Sequence, residues 1–288
     1  MGFAFRRMVV AGVGLIGGSL ALAARQRKLV EEVIGFGRGE RNLRVALKEG
    51  MIDRYFLREE ELPRGVDLLV LATPVQAVVP LAENFLPGLE SGCLVSDVGS
   101  VKGRIVRDME KLLPKRIPFV GAHPIAGSEQ WGAAAAVAGL FSGQRCIVTP
   151  TRNTDPGALK RIISLWRRVG ARVEAMDPEI HDRILAVVSH LPHVLAYAMV
   201  NTLGRSAVDS VDPIHYCGGG FRDFTRIAAS RPELWRDICL ANRRAIGKRL
   251  TEYIKELDRL KRWIREGRGD RLERDFTRAN EIRRQMAS

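Results

Sequence analysis

Short apolar runs alternate with amphipathic stretches through the first half of the chain. Met8–Gly12 reads as a strand, Gly17–Arg25 as a helix and Glu32–Gly35 as a second strand. Asn42–Glu49 has helical spacing, with Gly50 as its stop. Asp67–Thr73 is an apolar run suited to burial on both faces, and it ends at Pro74. A helix over Val75–Phe85 and a strand over Cys93–Asp97 follow. Buried strands separated by helices predict a doubly wound, mostly parallel sheet. Phe119–His123 and Arg145–Thr149 are expected to extend it, and the helix Pro156–Arg168 with the strand Arg172–Glu174 to complete it.

The pattern changes at Asp177-Pro178. Beyond it the apolar residues keep helical spacing over Ile180–Ser189, Val194–Leu203, Phe221–Ala229, Pro232–Leu257 and a C-terminal pair interrupted at Gly267-Arg-Gly269. The Gly218-Gly-Gly220 loop introduces the Phe221 helix. Two domains are therefore expected: a nucleotide-binding α/β domain over 1–177 and an all-helical domain over 178–288. The last helices carry Leu250, Ile254, Leu257, Leu260, Ile264, Leu272, Phe276, Ile282 and Met286, more apolar positions than one small layer needs. A partner copy would cover them. The apolar stretches fall short of the roughly 20 residues of a membrane span, and the start shows no cleavage-site pattern. No targeting or transmembrane segment is expected.

Composition changes this picture little. The chain has 288 residues, is 46% hydrophobic and carries a net charge of +13, which raises the possibility of a nucleic-acid partner. Residues 241–288 hold 15 Lys and Arg against 8 Asp and Glu. Because these lie between apolar positions at helical spacing, they read as a solvated face or a field for an anionic substrate. No zinc finger, RNP-like strand or basic tail supports nucleic-acid binding. The 4 cysteines form no CxxC pair, as expected of thiols in the reducing cytoplasm.

Gly12-x-Gly14-x-x-Gly17 lies between a strand and a helix, the context of a Rossmann-type dinucleotide site. Gly12 permits the tight turn, Gly14 the approach of a diphosphate and Gly17 close helix packing. Contacts to the cofactor are expected from Gly12, Gly14, Leu15, Ile16 and Gly17, where free N–H groups meet the diphosphate. After the second strand, Gly37 occupies the place of the acid that usually accepts from the adenosine ribose. Arg38 and Arg41 follow, which favours NADP over NAD. Glu40 remains a possible ribose partner, and Arg38 a possible adenine-stacking residue.

Thr73-Pro74, Ser96–Ser100 and His123 each follow an apolar strand, and strand carboxyl ends line the crevice of such sheets. A neutral imidazole at His123 suits acceptance of a hydroxyl proton, with Ser100 beside it. A loop-capping histidine is the alternative. The helical half offers His181-Asp182, His190-Leu-Pro-His193 and Asp223-Phe-Thr-Arg226. Packed helix histidines, substrate contacts and a metal compete for the His190/His193 pair. No HExxH or cysteine partner accompanies it, so no metal is expected. Arg226 suits a carboxylate or a structural salt bridge.

The order of these segments, with Asp97-Val-Gly-Ser-Val-Lys102, His123-Pro-Ile-Ala-Gly-Ser-Glu129, Ser189-His-Leu-Pro-His193 and Gly220-Phe-Arg-Asp-Phe-Thr-Arg226, resembles the prephenate/arogenate dehydrogenases of tyrosine biosynthesis. The resemblance implies a Rossmann-type domain followed by a helical dimerisation domain, and oxidative decarboxylation with NAD or NADP. It implies that His123 is the catalytic base and that Ser100 orients it and the substrate hydroxyl. Ser128 and His193 would lie at the substrate, and Arg226 would anchor a carboxylate. His181, Asp182, His190, Asp223 and Trp235 would support the pocket. A β-hydroxyacid dehydrogenase would instead need a lysine on its helical domain, and residues 178–230 contain none.

Overall fold

The computed structural model describes residues 4–127, 130–206 and 211–286. Six parallel strands form the main sheet: β1 (Phe5–Ala11), β2 (Val30–Phe36), β3 (Arg54–Phe56), β4 (Leu68–Leu71), β5 (Leu94–Asp97) and β6 (Phe119–Val120). Their order, β3-β2-β1-β4-β5-β6, reverses beside β1, as in a doubly wound nucleotide-binding fold. Alternation along the strands sorts side chains into two cores. Val10, Val33, Leu68 and Leu94 face helices α1 (Leu15–Gln26) and α5 (Pro156–Arg168). Val9, Ile34, Leu69 and Val95 face α3 (Val78–Phe85) and α4 (Gly103–Leu112). Helix α2 (Glu40–Lys48) lies between β2 and β3 in the chain.

Of the expected extension of this sheet, Phe119–Val120 joins it as β6 and the rest does not. The run 119–123 breaks at Gly121, and β7 (Ala122–Ile125), β8 (Arg145–Val148) and β9 (Arg172–Ala175) form a separate three-stranded sheet. β7 runs antiparallel to β8, and β8 runs parallel to β9. A Cβ at Gly121 would lie 2.6 Å from Thr149 Oγ1 and 3.0 Å from Val106, so the crossing point between sheets needs glycine. His123 therefore sits on the second sheet, just beyond the end of β6.

Beyond β9 the described chain is helical. Asp177 caps α6 (Pro178–Leu185) by accepting from Glu179 N and Ile180 N, both at 2.9 Å. Two separate helices are expected over Ile180–Ser189 and Val194–Leu203, on either side of Pro192. Instead a π turn over Ala186–His190 leads straight into α7 (Leu191–Gly204), where Pro192 occupies the first turn. The resulting Pro178–Gly204 run is 27 residues, with a mean hydropathy of 1.5 in its most apolar window. By length and composition it could cross a membrane, which corrects the expectation that no stretch was long enough. Reading Pro192 as a break had cut the run in two.

After α8 (Gly219–Thr225), a 3-10 turn over Arg226–Ala229 leads to α9 (Pro232–Ala241). The single helix expected over Pro232–Leu257 is interrupted at Asn242, and α10 (Arg243–Arg265) starts anew. The compact units divide at Arg243/Arg244. Trp235 and Ile238 of α9 belong to the core beside α3 and α4, so residues 178–243 pack with the sheet. The second unit contains most of α10 and all of α11 (Gly269–Gln285), where Arg259 pairs with Asp275 at 2.9 Å. Its Ile254, Leu257, Ile264, Phe276 and Ile282 are exposed.

Candidate active site

The turn from β1 into α1 forms the first part of the site. Gly12 has φ +100°, and a Cβ there would lie 2.4 Å from Ala72 O. At Gly17 a Cβ would lie 2.2 Å from Gly12 O, so only glycine lets α1 approach the turn this closely. Above Gly14, by contrast, the space is open. Helix α1 starts at Leu15 and Ile16 without a side-chain cap or an acidic residue in its first turn. Nearby, Thr73 Oγ1 is buried with no hydrogen-bond partner among the described residues, and Pro74 follows it. An open glycine turn, an uncapped helix start and an unpaired hydroxyl fit a dinucleotide diphosphate. A bound nicotinamide dinucleotide would be held by Gly12, Gly14, Leu15, Ile16, Gly17, Thr73 and Pro74.

At the end of β2, Gly37 is followed by exposed Arg38 and Arg41. Glu40 is already engaged: its carboxylate accepts from Tyr55 Oη at 2.8 Å and Arg44 at 3.0 Å. These contacts, Tyr55 first, hold its carboxyl below the usual range. Asn42, which the sequence reading passed over, donates to Val13 O at 2.6 Å and accepts from Ala133 N at 2.8 Å. It ties α2 to the glycine turn.

The second part gathers at the end of β5. Lys102 is fully buried, pairs with Asp97 and donates to Ala122 O at 3.0 Å. That carbonyl belongs to the residue before His123, so the ion pair fixes the backbone that carries the imidazole. His123 is buried, and its Nδ1 lies 2.9 Å from His181 Nε2. His181 Nδ1 lies 2.8 Å from Asp182 Oδ1. The Asp182 carboxylate also accepts from Lys102 N at 2.7 Å and Gly103 N at 2.9 Å, the first amides of α4. Burial is the largest cause pushing the His123 pKa well below 6.5, and the buried cation of Lys102 acts in the same direction. His123 is therefore neutral at pH 7, as a general base requires.

Ser100 lies in the same β5–α4 connection, and its backbone faces His190. Asn242 donates to Asp182 O at 2.8 Å and contacts His190 Nδ1 at 3.1 Å, which explains the helix break there. Burial lowers the His190 pKa to about 4. His193 stacks on Trp235 with ring centroids 3.5 Å apart, and its Nδ1 lies 2.9 Å from Ser189 O. Trp235 also meets His190 edge-on, with centroids 6.1 Å apart, making the cluster continuous. Burial, and then the positive charge of Arg226, lowers the His193 pKa.

The structure thus brings together His123, His181, Asp182, His190, His193 and Trp235, with Ser100 alongside. Arg226 opens the 3-10 turn after α8, close enough to act on His193 electrostatically; Asp223 is exposed on α8. Ser128 lies outside the described residues. Among the described residues no three metal-ligating side chains converge. Buried Cys93 has its thiol pushed up to about 12, so it presents no thiolate at pH 7. Lys102, Asp97 and Asn242 were not read as site residues. Lys102 and Asp97 stood inside the quoted Asp97–Lys102 segment, whereas Asn242 gave no sequence signal.

The profile of the prephenate dehydrogenase nucleotide-binding domain matches residues 20–175, and that of its dimerisation domain matches residues 177–278. The chain is 38% identical to the prephenate dehydrogenase of Bacillus subtilis over 96% of its own length and 75% of the relative's. It is 35% identical to the cyclohexadienyl dehydrogenase of Zymomonas mobilis, over 97% and 95% of the two chains. The crystal structure of A. aeolicus prephenate dehydrogenase with hydroxyphenyl propionate and NAD+ is 38% identical and superposes with a TM-score of 0.90, covering 98% of each chain. With a parallel sheet followed by helices and both family domains matched in order, this chain belongs to the prephenate/arogenate dehydrogenase family of oxidoreductases.

Proposed function

We propose that the protein is a prephenate dehydrogenase. It would convert prephenate to 4-hydroxyphenylpyruvate and carbon dioxide while reducing NAD or NADP. The observation that carries this reading is a buried, neutral His123 between the Ser100 loop and the helical histidine cluster. When bound, the nicotinamide supplies the acceptor for the hydride leaving ring C4. His123 takes the C4 hydroxyl proton, and Ser100 holds that hydroxyl in line. Arg226 binds one carboxylate of the substrate, and Ser128 and His193 contact its other groups. Loss of the ring carboxylate as carbon dioxide then completes an aromatic ring, which drives the step. The net charge of +13 suits an anionic substrate and cofactor. Residues 1–177 would bind the nucleotide, and 178–288 would bind substrate and dimerise.

A specific observation supports a second reading, arogenate or dual use. His193 Nδ1 faces the Ser189 carbonyl at 2.9 Å, so this nitrogen carries the proton and donates. The neutral ring then offers Nε2 as an acceptor, which suits the ammonium of arogenate better than the keto oxygen of prephenate. Assays with each acid and each cofactor, following reduced nicotinamide, separate the readings. Turnover of neither acid would overturn both.

Arg226→Ala should raise the substrate KM by about 10- to 100-fold, from the roughly 1.5–3 kcal/mol of a charge-assisted hydrogen bond. Unchanged KM and kcat/KM would make it a structural arginine. For the cofactor we propose a lean toward NADP: Gly37 carries no carboxylate, Glu40 is engaged by Tyr55 and Arg44, and Arg38 is exposed. Arg38→Ala should then raise the NADP KM roughly tenfold while leaving the NAD KM nearly unchanged. Equal effects on both would point to adenine stacking.

We also propose a homodimer in the cytoplasm, with neither a nucleic-acid nor a membrane partner. All 4 cysteines are free thiols, as suits a reducing compartment. Exposed apolar side chains occur on the α6–α7 run, including Ile184, Val187, Val188 and Met199, and on α10–α11. Such surface is what a second copy buries. Sedimentation at micromolar concentration should report twice the 32.0 kDa chain mass. A purely monomeric boundary would contradict the dimer.

A further inference from the structure

We infer that His181 and Asp182 form a positioning relay that sets the tautomer of His123, leaving its Nε2 unprotonated toward the substrate. The inference rests on the proposed role of His123 as base and adds what makes that nitrogen available. Neutral histidine carries one ring proton, and only the nitrogen without it can act as a base. The choice is made by hydrogen bonds three groups away.

The logic starts at Asp182. Its two oxygens already accept the backbone N–H groups of Lys102 at 2.7 Å and Gly103 at 2.9 Å. Both of its oxygens are thus engaged as acceptors, the role of a carboxylate. His181 Nδ1, 2.8 Å from Asp182 Oδ1, must therefore carry the proton and donate it. In neutral His181 this leaves Nε2 as an acceptor. His123 Nδ1, 2.9 Å away, then donates to it, and His123 Nε2 keeps its lone pair. With His181 protonated on both nitrogens the outcome reverses, because Nε2–H would donate to His123 Nδ1 and place the His123 proton on Nε2.

The same contacts act during the reaction. When His123 Nε2 takes the hydroxyl proton, the imidazolium still holds its Nδ1 proton against His181 Nε2. The Asp182 carboxylate lies one ring further on and stabilises the new positive charge. Nothing need leave the relay, so it returns to its starting state once His123 releases the proton. His181 and Asp182 lie on α6 and His123 on β7, so the relay also fixes the helical segment against the second sheet. Lys102 anchors the opposite side of the same loop by donating to Ala122 O at 3.0 Å.

Two measurements test this. In protein labelled with 15N-histidine, free of substrate at pH 7, long-range proton–nitrogen spectra read each ring tautomer. There are only 5 histidines, and loss of one set of signals in His123→Asn assigns it. The expected result is His123 with a protonated Nδ1 and a bare Nε2, and neutral His181 of the same kind. A His123 proton on Nε2, or a doubly protonated His181, would overturn the inference. Because no substrate is involved, this result stands apart from whether prephenate or arogenate is turned over. The second measurement compares His181→Leu with His181→Gln, whose amide oxygen can still accept from His123 Nδ1. We expect kcat to fall by up to about 10,000-fold in the leucine variant, by analogy with triads that lose their orienting carboxylate. Substrate KM should change little, and the glutamine variant should recover most of the loss. Equal losses in both, or an unaltered kcat in the leucine variant, would show that His181 only packs.

Discussion

Replacing His123 with Asn should lower kcat by about 100- to 10,000-fold, the usual range for general-base assistance, while leaving cofactor affinity near wild type. The imidazole is buried, and burial first, with the nearby Lys102 cation, keeps it neutral at pH 7. Asparagine preserves much of the volume and can hydrogen-bond to His181, but it cannot take a proton. The glycine turn that holds the cofactor lies on β1 and α1 and is untouched by the change. Steady-state kinetics together with a fluorescence titration of reduced cofactor separate these effects. A kcat near wild type would remove His123 from the base position.

The second large effect is expected at Gly17. A Cβ there would lie 2.2 Å from Gly12 O and 2.9 Å from both Ala72 Cβ and Val10 Cγ1. The nearest of these is backbone, which cannot swing aside as a flexible side chain would. Gly17→Ala must therefore push α1 away from the turn, and overpacking of this kind costs roughly 1–3 kcal/mol. The displaced helix start also spoils the diphosphate cradle, so cofactor affinity should fall at least about tenfold, the equivalent of 1.4 kcal/mol. Thermal unfolding and cofactor titration check both halves. Wild-type affinity in the alanine variant would show that α1 does not need this close approach.

The first half of the fold was legible because its signals are local. Strand, glycine turn and helix follow one another within 5–26, and Gly12, Gly14 and Gly17 have their meaning within that span. β3 was missed because Arg54-Tyr-Phe56 is only 3 residues long and begins with a charge. The second sheet was missed for another reason. Phe119–His123 reads as one apolar run, and only the crowding of Gly121 by Thr149 and Val106 shows where it changes sheets. Pro192 misled because it falls in the first turn of α7, directly after the π turn, where a missing N–H is tolerated.

The site residues were legible as types and only partly as an arrangement. His123 stood out from its place after an apolar strand and His181-Asp182 from the helical half, with roles implied by the resemblance, yet no spacing reveals that His123 and His181, separated by 58 positions, meet at 2.9 Å. Asn242 gave no signal at all. It reads as one more position in an amphipathic helix, and the structure uses it to end that helix and to bond Asp182 and His190. The division of the chain likewise depended on long-range packing. Trp235 and Ile238 join the core beside α3 and α4, which periodicity along α9 does not reveal.

The central claim is oxidative decarboxylation of prephenate, and the balance of products tests it most directly. Purified protein should be given prephenate labelled at the ring carboxylate, with NAD or NADP, and the gas and reduced nicotinamide counted together. The account predicts one labelled carbon dioxide and one 4-hydroxyphenylpyruvate for each nicotinamide reduced. Reduced nicotinamide without release of the label, or no reduction with prephenate under either cofactor, would contradict it.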